Sequence, residues 1–134
     1  MTLKSLRLAA LCGCLLVVSV PGFAHHSFAA EYDDKQPVKV TGVVTKVEWL
    51  NPHIWIYIDA KGSDGKLTPW AFSGGAPGQL MRRGVTKDNI KPGTVIIVDG
   101  FRAKDGSNNG YGSKITFEDG RSVFAAGADN QGKK

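Results

Sequence analysis

Cysteine is nearly absent from this chain, and where it occurs excludes a good deal of chemistry. The 134 residues hold two cysteines, Cys12 and Cys14, both inside an N-terminal segment that reads as a secretory signal. Lys4 and Arg7 charge its start, Leu8–Val20 is an uncharged apolar run, and Pro21-Gly22-Phe23-Ala24 offers small residues at the positions before a cut. Cleavage after Ala24 would leave a product with no disulfide and no thiolate ligand, folded on its core alone. Long hydrophobic runs are also missing. Leu8–Val20 is too short to span a bilayer, and no later segment is longer or more apolar. Charge of one sign is scarce: the formal +5 falls to +3 once Lys4 and Arg7 leave, with charges interspersed, so nothing points to nucleic acid. There is no nucleophile elbow, no phosphate-cradling glycine motif and no marked pair of carboxylates. The calcium-loop-like start at Asp105 lacks a carboxylate at its twelfth position, Thr116.

What remains is short and β-patterned. Residues 25–37 read as an N-terminal arm, 38–125 as one small domain and 126–134 as a polar, disordered tail. Val38–Leu50 predicts a long strand whose apolar parity switches at Gly42, where a bend or bulge would carry the change. After the Asn51-Pro52 turn, His53–Ala60 alternates cleanly: Ile54, Ile56 and Ile58 point one way, His53, Trp55 and Tyr57 the other. Leu67–Phe72 predicts a third strand, put at an edge or break by Pro69. Gly78–Arg83 suits a short helix, and Thr94–Phe101 a buried fourth strand. Lys104–Gly112 reads as a glycine- and asparagine-rich loop. Ser113–Phe117 and Arg121–Ala125 flank an Asp119-Gly120 turn, as a last hairpin or a strand with an extension. Three strands, a helix, then two strands predict an all-β fold, a five-stranded Greek-key barrel of the oligonucleotide/oligosaccharide-binding (OB) type, with the short helix between strands three and four.

Two groups of residues carry candidate chemistry. Cleavage after Ala24 makes His25 the first residue, so its amine and its ring lie at chelating distance. His26 and His53 add two further rings. A set rich in nitrogen and free of sulfur favours Cu(II), with Zn(II) as the alternative. Amine and imidazole both release their protons near neutral pH. Glu48 and Asn51 are candidate groups to orient these ligands. The plainer reading of His53 is a surface residue near a turn that hydrogen-bonds a backbone carbonyl. The second group is aromatic: Trp49, Trp55, Tyr57 and Trp70 on the first three strands form a candidate stacking face for a saccharide, an envelope polymer or a partner protein. Phe28 and Tyr32 of the arm are candidate packing partners for these rings.

His25-His26-Ser27-Phe28-Ala29-Ala30-Glu31-Tyr32-Asp33, Val47-Glu48-Trp49-Leu50-Asn51-Pro52-His53-Ile54-Trp55, Lys104-Asp105-Gly106-Ser107 and Asp119-Gly120-Arg121 resemble an uncharacterised family of small exported bacterial proteins, a domain of unknown function. The resemblance covers nearly all of 25–125. It implies an exported small β-domain and names no reaction, although its motifs include positions 25, 26 and 53. The expectation is therefore a periplasmic, non-enzymatic binding protein, whose partner is a metal ion, copper first, or an envelope component.

Overall fold

A computed structural model describes residues 28–126. The elements run α1 (Phe28–Glu31), β1 (Tyr32–Glu48), β2 (Trp55–Lys61), β3 (Leu67–Ser73), α2 (Pro77–Arg82), β4 (Val95–Ala103), β5 (Asn109–Phe117) and β6 (Ser122–Phe124). The fold is all-β, with two short helices among the described residues, and the second lies between β3 and β4 where the sequence places it. No helix among the described residues is long and apolar enough to cross a membrane.

The count of strands differs from the five expected: six pair in the order β3-β2-β1-β4-β5-β6, and β3 also pairs in parallel with β5. The same side of β5 serves two neighbours. Its start, Asn109–Tyr111, meets Ala71–Ser73 of β3, and Lys114–Thr116 meets β6. Pro69 sits in the half of β3 that has β2 on one side and no part of β5 on the other, so its missing N–H breaks no ladder.

Alternation in β2 places Ile54, Ile56 and Ile58 in the core, each 2 % exposed or less. Burying an aliphatic side chain of this size contributes about 1.5–3 kcal/mol. They join Val44, Phe72, Leu80 of α2, Ile96, Val98 and Ile115 in the main cluster. In β4, Ile96 and Val98 are buried and their neighbours half-buried, so this strand alternates too.

β1 departs from its expected parity. Val38, Val40 and Val44 keep one parity inward, and Val43 is exposed. The switch occurs at Thr45, where the pairing with β2 slips between Val44 and Lys46, a β-bulge that turns Val47 and Trp49 toward the core. Gly42 has a different duty: a Cβ there would lie 2.6 Å from the Asp59 carbonyl oxygen. The glycine lets β1 pass close to β2 as it leaves β4.

The stretch Lys104–Gly112 is also not all loop. β5 begins at Asn109, and its glycines admit Phe72: a Cβ at Gly110 would lie 2.7 Å from the Phe72 ring. A composition that reads as a loop here serves close approach between β3 and β5.

A smaller cluster lies apart from the main core. Phe28, Tyr32, Phe101 and Tyr111 pack their rings together. Phe28 meets Phe101 and Tyr111 edge-on, with centroids 5.5 and 5.2 Å away. This clasp, with a hydrogen bond from the Lys104 ammonium to the Ala29 carbonyl and one from the Lys104 N–H to the Glu31 carbonyl (2.9 Å), fastens α1 to the sheet. The arm rings thus pack against Phe101 and Tyr111, and among the tryptophans only Trp55 shares a depression with Tyr32.

Candidate functional site

His53 comes first in the alternating run, and the buried Ile54 beside it turns its ring outward. The antiparallel ladder of β2 and β3 continues past both strand ends: Gly74 N–H donates to the Ile54 carbonyl (3.0 Å) and Ile54 N–H to the Gly75 carbonyl (3.1 Å). This brings the Gly74 carbonyl to His53, whose Nδ1 lies 2.9 Å from it. A carbonyl oxygen only accepts, so Nδ1 carries the proton. In the uncharged form of the ring the lone pair then lies on Nε2, and the residue is exposed. That is the arrangement by which proteins orient a metal-binding imidazole, with one nitrogen tied to a carbonyl and the other left for the ion.

The arm reaches the same corner. Tyr32 and Ser73 are both buried, and their hydroxyls meet at 2.7 Å. Ser73 is the one buried polar side chain, tyrosine aside, among the described residues. Burial pushes the Tyr32 phenol above its ordinary value, with the Ser73 hydrogen bond opposing and nearby Glu31 and Tyr111 adding to the rise. The phenol therefore stays protonated at neutral pH. Ser73 also faces Trp55 across the β2–β3 ladder. Trp55 borders an open depression of about 370 Å³ whose other walls include Ala30, Glu31, Tyr32 and Lys104. Consecutive residues, 73 and 74, thus hold the arm and the His53 ring.

His25 and His26 lie outside the described residues. Among the described residues no three histidine, cysteine or carboxylate side chains gather where they could hold a metal ion. His53 is the one histidine among the described residues.

Glu48 and Asn51 do not support His53. Glu48 is engaged elsewhere: one carboxylate oxygen takes the Lys46 ammonium at 2.8 Å and the other the Tyr57 hydroxyl at 2.9 Å. These bonds, that from Lys46 first, hold the Glu48 carboxyl below its ordinary value, and the Glu48 bond raises the Tyr57 phenol. Asn51 lies exposed in the turn, before a cis peptide bond to Pro52. The supporting group is a backbone carbonyl, as the plainer reading of His53 expects, and the structure identifies it as that of Gly74. No residue type marks a backbone carbonyl, and its place depends on the β2–β3 register.

The aromatic residues do not form one face. Trp49 and Trp70 pack against the main core, and Trp70 stacks on Phe72 with centroids 5.6 Å apart and planes 7° from parallel. The Arg102 guanidinium lies 5.4 Å from the centre of the Trp70 ring, and the Lys46 ammonium 4.2 Å from that of Tyr57. Tyr57 and Trp70 border a second open depression, of about 430 Å³, with Thr45, Ser107, Asn108 and Asn109. Trp55 belongs to the other one.

Comparison with known proteins adds one assignment. No curated protein matches the chain. A family model described as a family of unknown function (DUF6152) matches residues 12–113, which takes in α1, the whole of β1 to β4 and the corner where His53, Gly74 and Tyr32 meet. The chain belongs to this family of unknown function.

Proposed function

We propose that the chain is an exported, non-enzymatic binding protein that holds a metal ion, copper(II) first, at a nitrogen-rich site. Its ligands are the amine and ring of His25, the ring of His26 and Nε2 of His53. The scaffold is an OB-like barrel; what supports this is that each of β1 to β5 has a strand partner on both sides, through the β3–β5 pairing. Removal of residues 1–24 creates the amine ligand, and the periplasm is the compartment this implies. A bound ion would act as the cargo of a buffering or delivery protein.

The observation that carries the reading is the setting of His53, an exposed residue whose Nδ1 is bonded to a carbonyl and whose Nε2 has no partner among the described residues. The second support is reach. One residue, Ser27, separates His26 from Phe28, a span of at most about 7 Å, and the clasp fixes Phe28 beside Tyr32, whose hydroxyl bonds Ser73. Four nitrogens without sulfur suit Cu(II) by the usual affinity order.

The test is titration of the processed protein with Cu(II) and Zn(II), with its mass confirming a start at His25. The reading predicts Cu(II) binding much tighter than that of a variant with one alanine added before His25. Equal binding would reject it. A second reading, a saccharide-binding module, has support from the depression between Tyr57 and Trp70 with its rim of asparagines. Under that reading, Trp70→Ala abolishes a tryptophan-fluorescence response to sugars that His25→Ala leaves intact.

A further inference from the structure

Trp55 and Tyr57 are alternate residues of β2 on its outer parity, about 6.6 Å apart along a strand. Across the ladder Tyr57 faces Ala71 of β3, and Ala71 faces Asn109 of β5. Paired residues of a sheet share a face, so a ring, a methyl group and an exposed amide stand in one row. The small residue in the middle leaves a trough. Asn109 borders both open depressions, that of Tyr57 and that of Trp55, so the two meet at its side chain. Each alone lies near the lower end of small-ligand sites, about 300–1,000 Å³. End to end they suit an extended chain.

The groups along this groove define what it would take. Charges of both signs border it and are engaged within the chain. Lys46 and Glu48 pair with each other, the Asp105 carboxylate accepts the Ser107 N–H at 2.9 Å, and Lys104 bonds the Ala29 carbonyl. The Arg102 guanidinium donates to the Ser107 carbonyl (2.9 Å) and to Asn108 Oδ1 (3.0 Å). What is left over is neutral. With its Oδ1 taken, Asn108 keeps two donors on Nδ2 that have no partner among the described residues, and the Asn109 amide is bonded to none of them. Ala71 N–H donates to the Asn108 carbonyl (3.1 Å), so Ala71 and Pro69 turn their main-chain groups to this edge. The pairing with β5 begins at Ala71, which leaves the Pro69 carbonyl without a strand partner. Amide donors, a carbonyl acceptor and two half-buried aromatic rings match a neutral polyhydroxylated chain. Its hydroxyls would bond the amides and the carbonyl, and the C–H faces of its rings would lie on the aromatics.

We infer that this groove binds an extended, uncharged oligosaccharide, with Trp55 and Tyr57 as platforms and Asn108 and Asn109 as hydrogen-bonding residues. The inference rests on the saccharide reading and lengthens its site, from the depression beside Tyr57 and Trp70 across Asn109 to Trp55. It requires no metal ion.

Titration calorimetry of the processed protein tests it. The probes are linear uncharged oligosaccharides of two and of six rings, in a β-1,4-glucose series and a β-1,4-N-acetylglucosamine series, with a hexuronate series of the same lengths. In at least one uncharged series six rings are expected to bind about tenfold tighter than two, and the hexuronates no tighter. Asn109→Ala changes an exposed side chain that bonds nothing, so it is expected to keep the melting temperature and weaken six-ring binding about tenfold, the scale of one lost hydrogen bond. Trp55→Ala is expected to weaken it by at least as much. Equal affinity for two and six rings overturns the inference. So does six-ring binding unchanged in Asn109→Ala and Trp55→Ala, or tighter binding of the hexuronates. If that binding is still lost in Trp70→Ala, the saccharide reading stands while the longer groove falls. Absence of binding to every series removes both.

Discussion

Two polar groupings sit on the outer parity of β2, four residues apart, and they differ in what they leave over. In one, Tyr57, Glu48 and Lys46 satisfy each other: both Glu48 oxygens are bonded, and the Lys46 ammonium also lies over the Tyr57 ring. In the other, His53 is an exposed residue with one nitrogen tied to the Gly74 carbonyl and no bond to the second among the described residues. The first resembles a site by composition, with a carboxylate, a phenol and an amine together. The second is one ring and a backbone atom. Yet the first is closed chemically and the second is open, and an open, oriented donor is what a ligand needs.

The contrast can be broken by mutation. The largest effect is expected from His25→Ala, which removes a ring and the chelate it forms with the amine. Cu(II) affinity should fall on the order of a hundredfold, about 2.8 kcal/mol, in a competition titration. Next is His53→Ala, with a smaller loss of roughly tenfold, about 1.4 kcal/mol, because the chelate formed by His25 stays. Unchanged affinity in this variant would remove the open grouping from the site. Smallest is Glu48→Gln, which should leave Cu(II) binding unchanged and show itself only in stability. The Glu48 carboxyl is held below its ordinary value in the folded chain, so its contribution is full above the ordinary glutamate range and fades as pH falls through the lowered value. Thermal unfolding of wild type and Glu48→Gln should therefore differ at neutral pH and converge in acid. A Glu48→Gln variant with weakened copper binding would mean that the two groupings are one.

Much of the fold is legible in the sequence wherever a period is unbroken. The run from Ile54 to Ile58 predicts β2 and the outward turn of His53, and α2 lies within a residue of the predicted helix. Two of the misplaced features involve glycine, which marks two different needs. A glycine in a strand pattern signals a bulge or a close approach of backbone, and sequence does not separate the two. At Gly42 the need is close approach to Asp59, and the bulge falls three residues later, at Thr45, a residue type that advertises nothing. At Gly110 the same need, here to admit Phe72, turns a loop-like composition into the start of β5.

The site is legible in part for a similar reason. His53 is visible as a residue type, and its outward direction follows from alternation. Its partner is a carbonyl contributed by the residue after β3, and the Tyr32–Ser73 bond joins residues 41 positions apart. Both follow from tertiary register. Glu48, the residue that composition favours as a supporting group, is drawn away by Lys46 two residues before it and by Tyr57 across the ladder.

The central claim is that the imidazole of residue 53 and the trimmed amino terminus bind one ion. Pulsed electron paramagnetic resonance of Cu(II) bound to the protein that begins at His25 counts coordinated imidazoles directly. The account predicts one fewer in His53→Ala than in wild type, at one equivalent of copper. The same count in both proteins would contradict it.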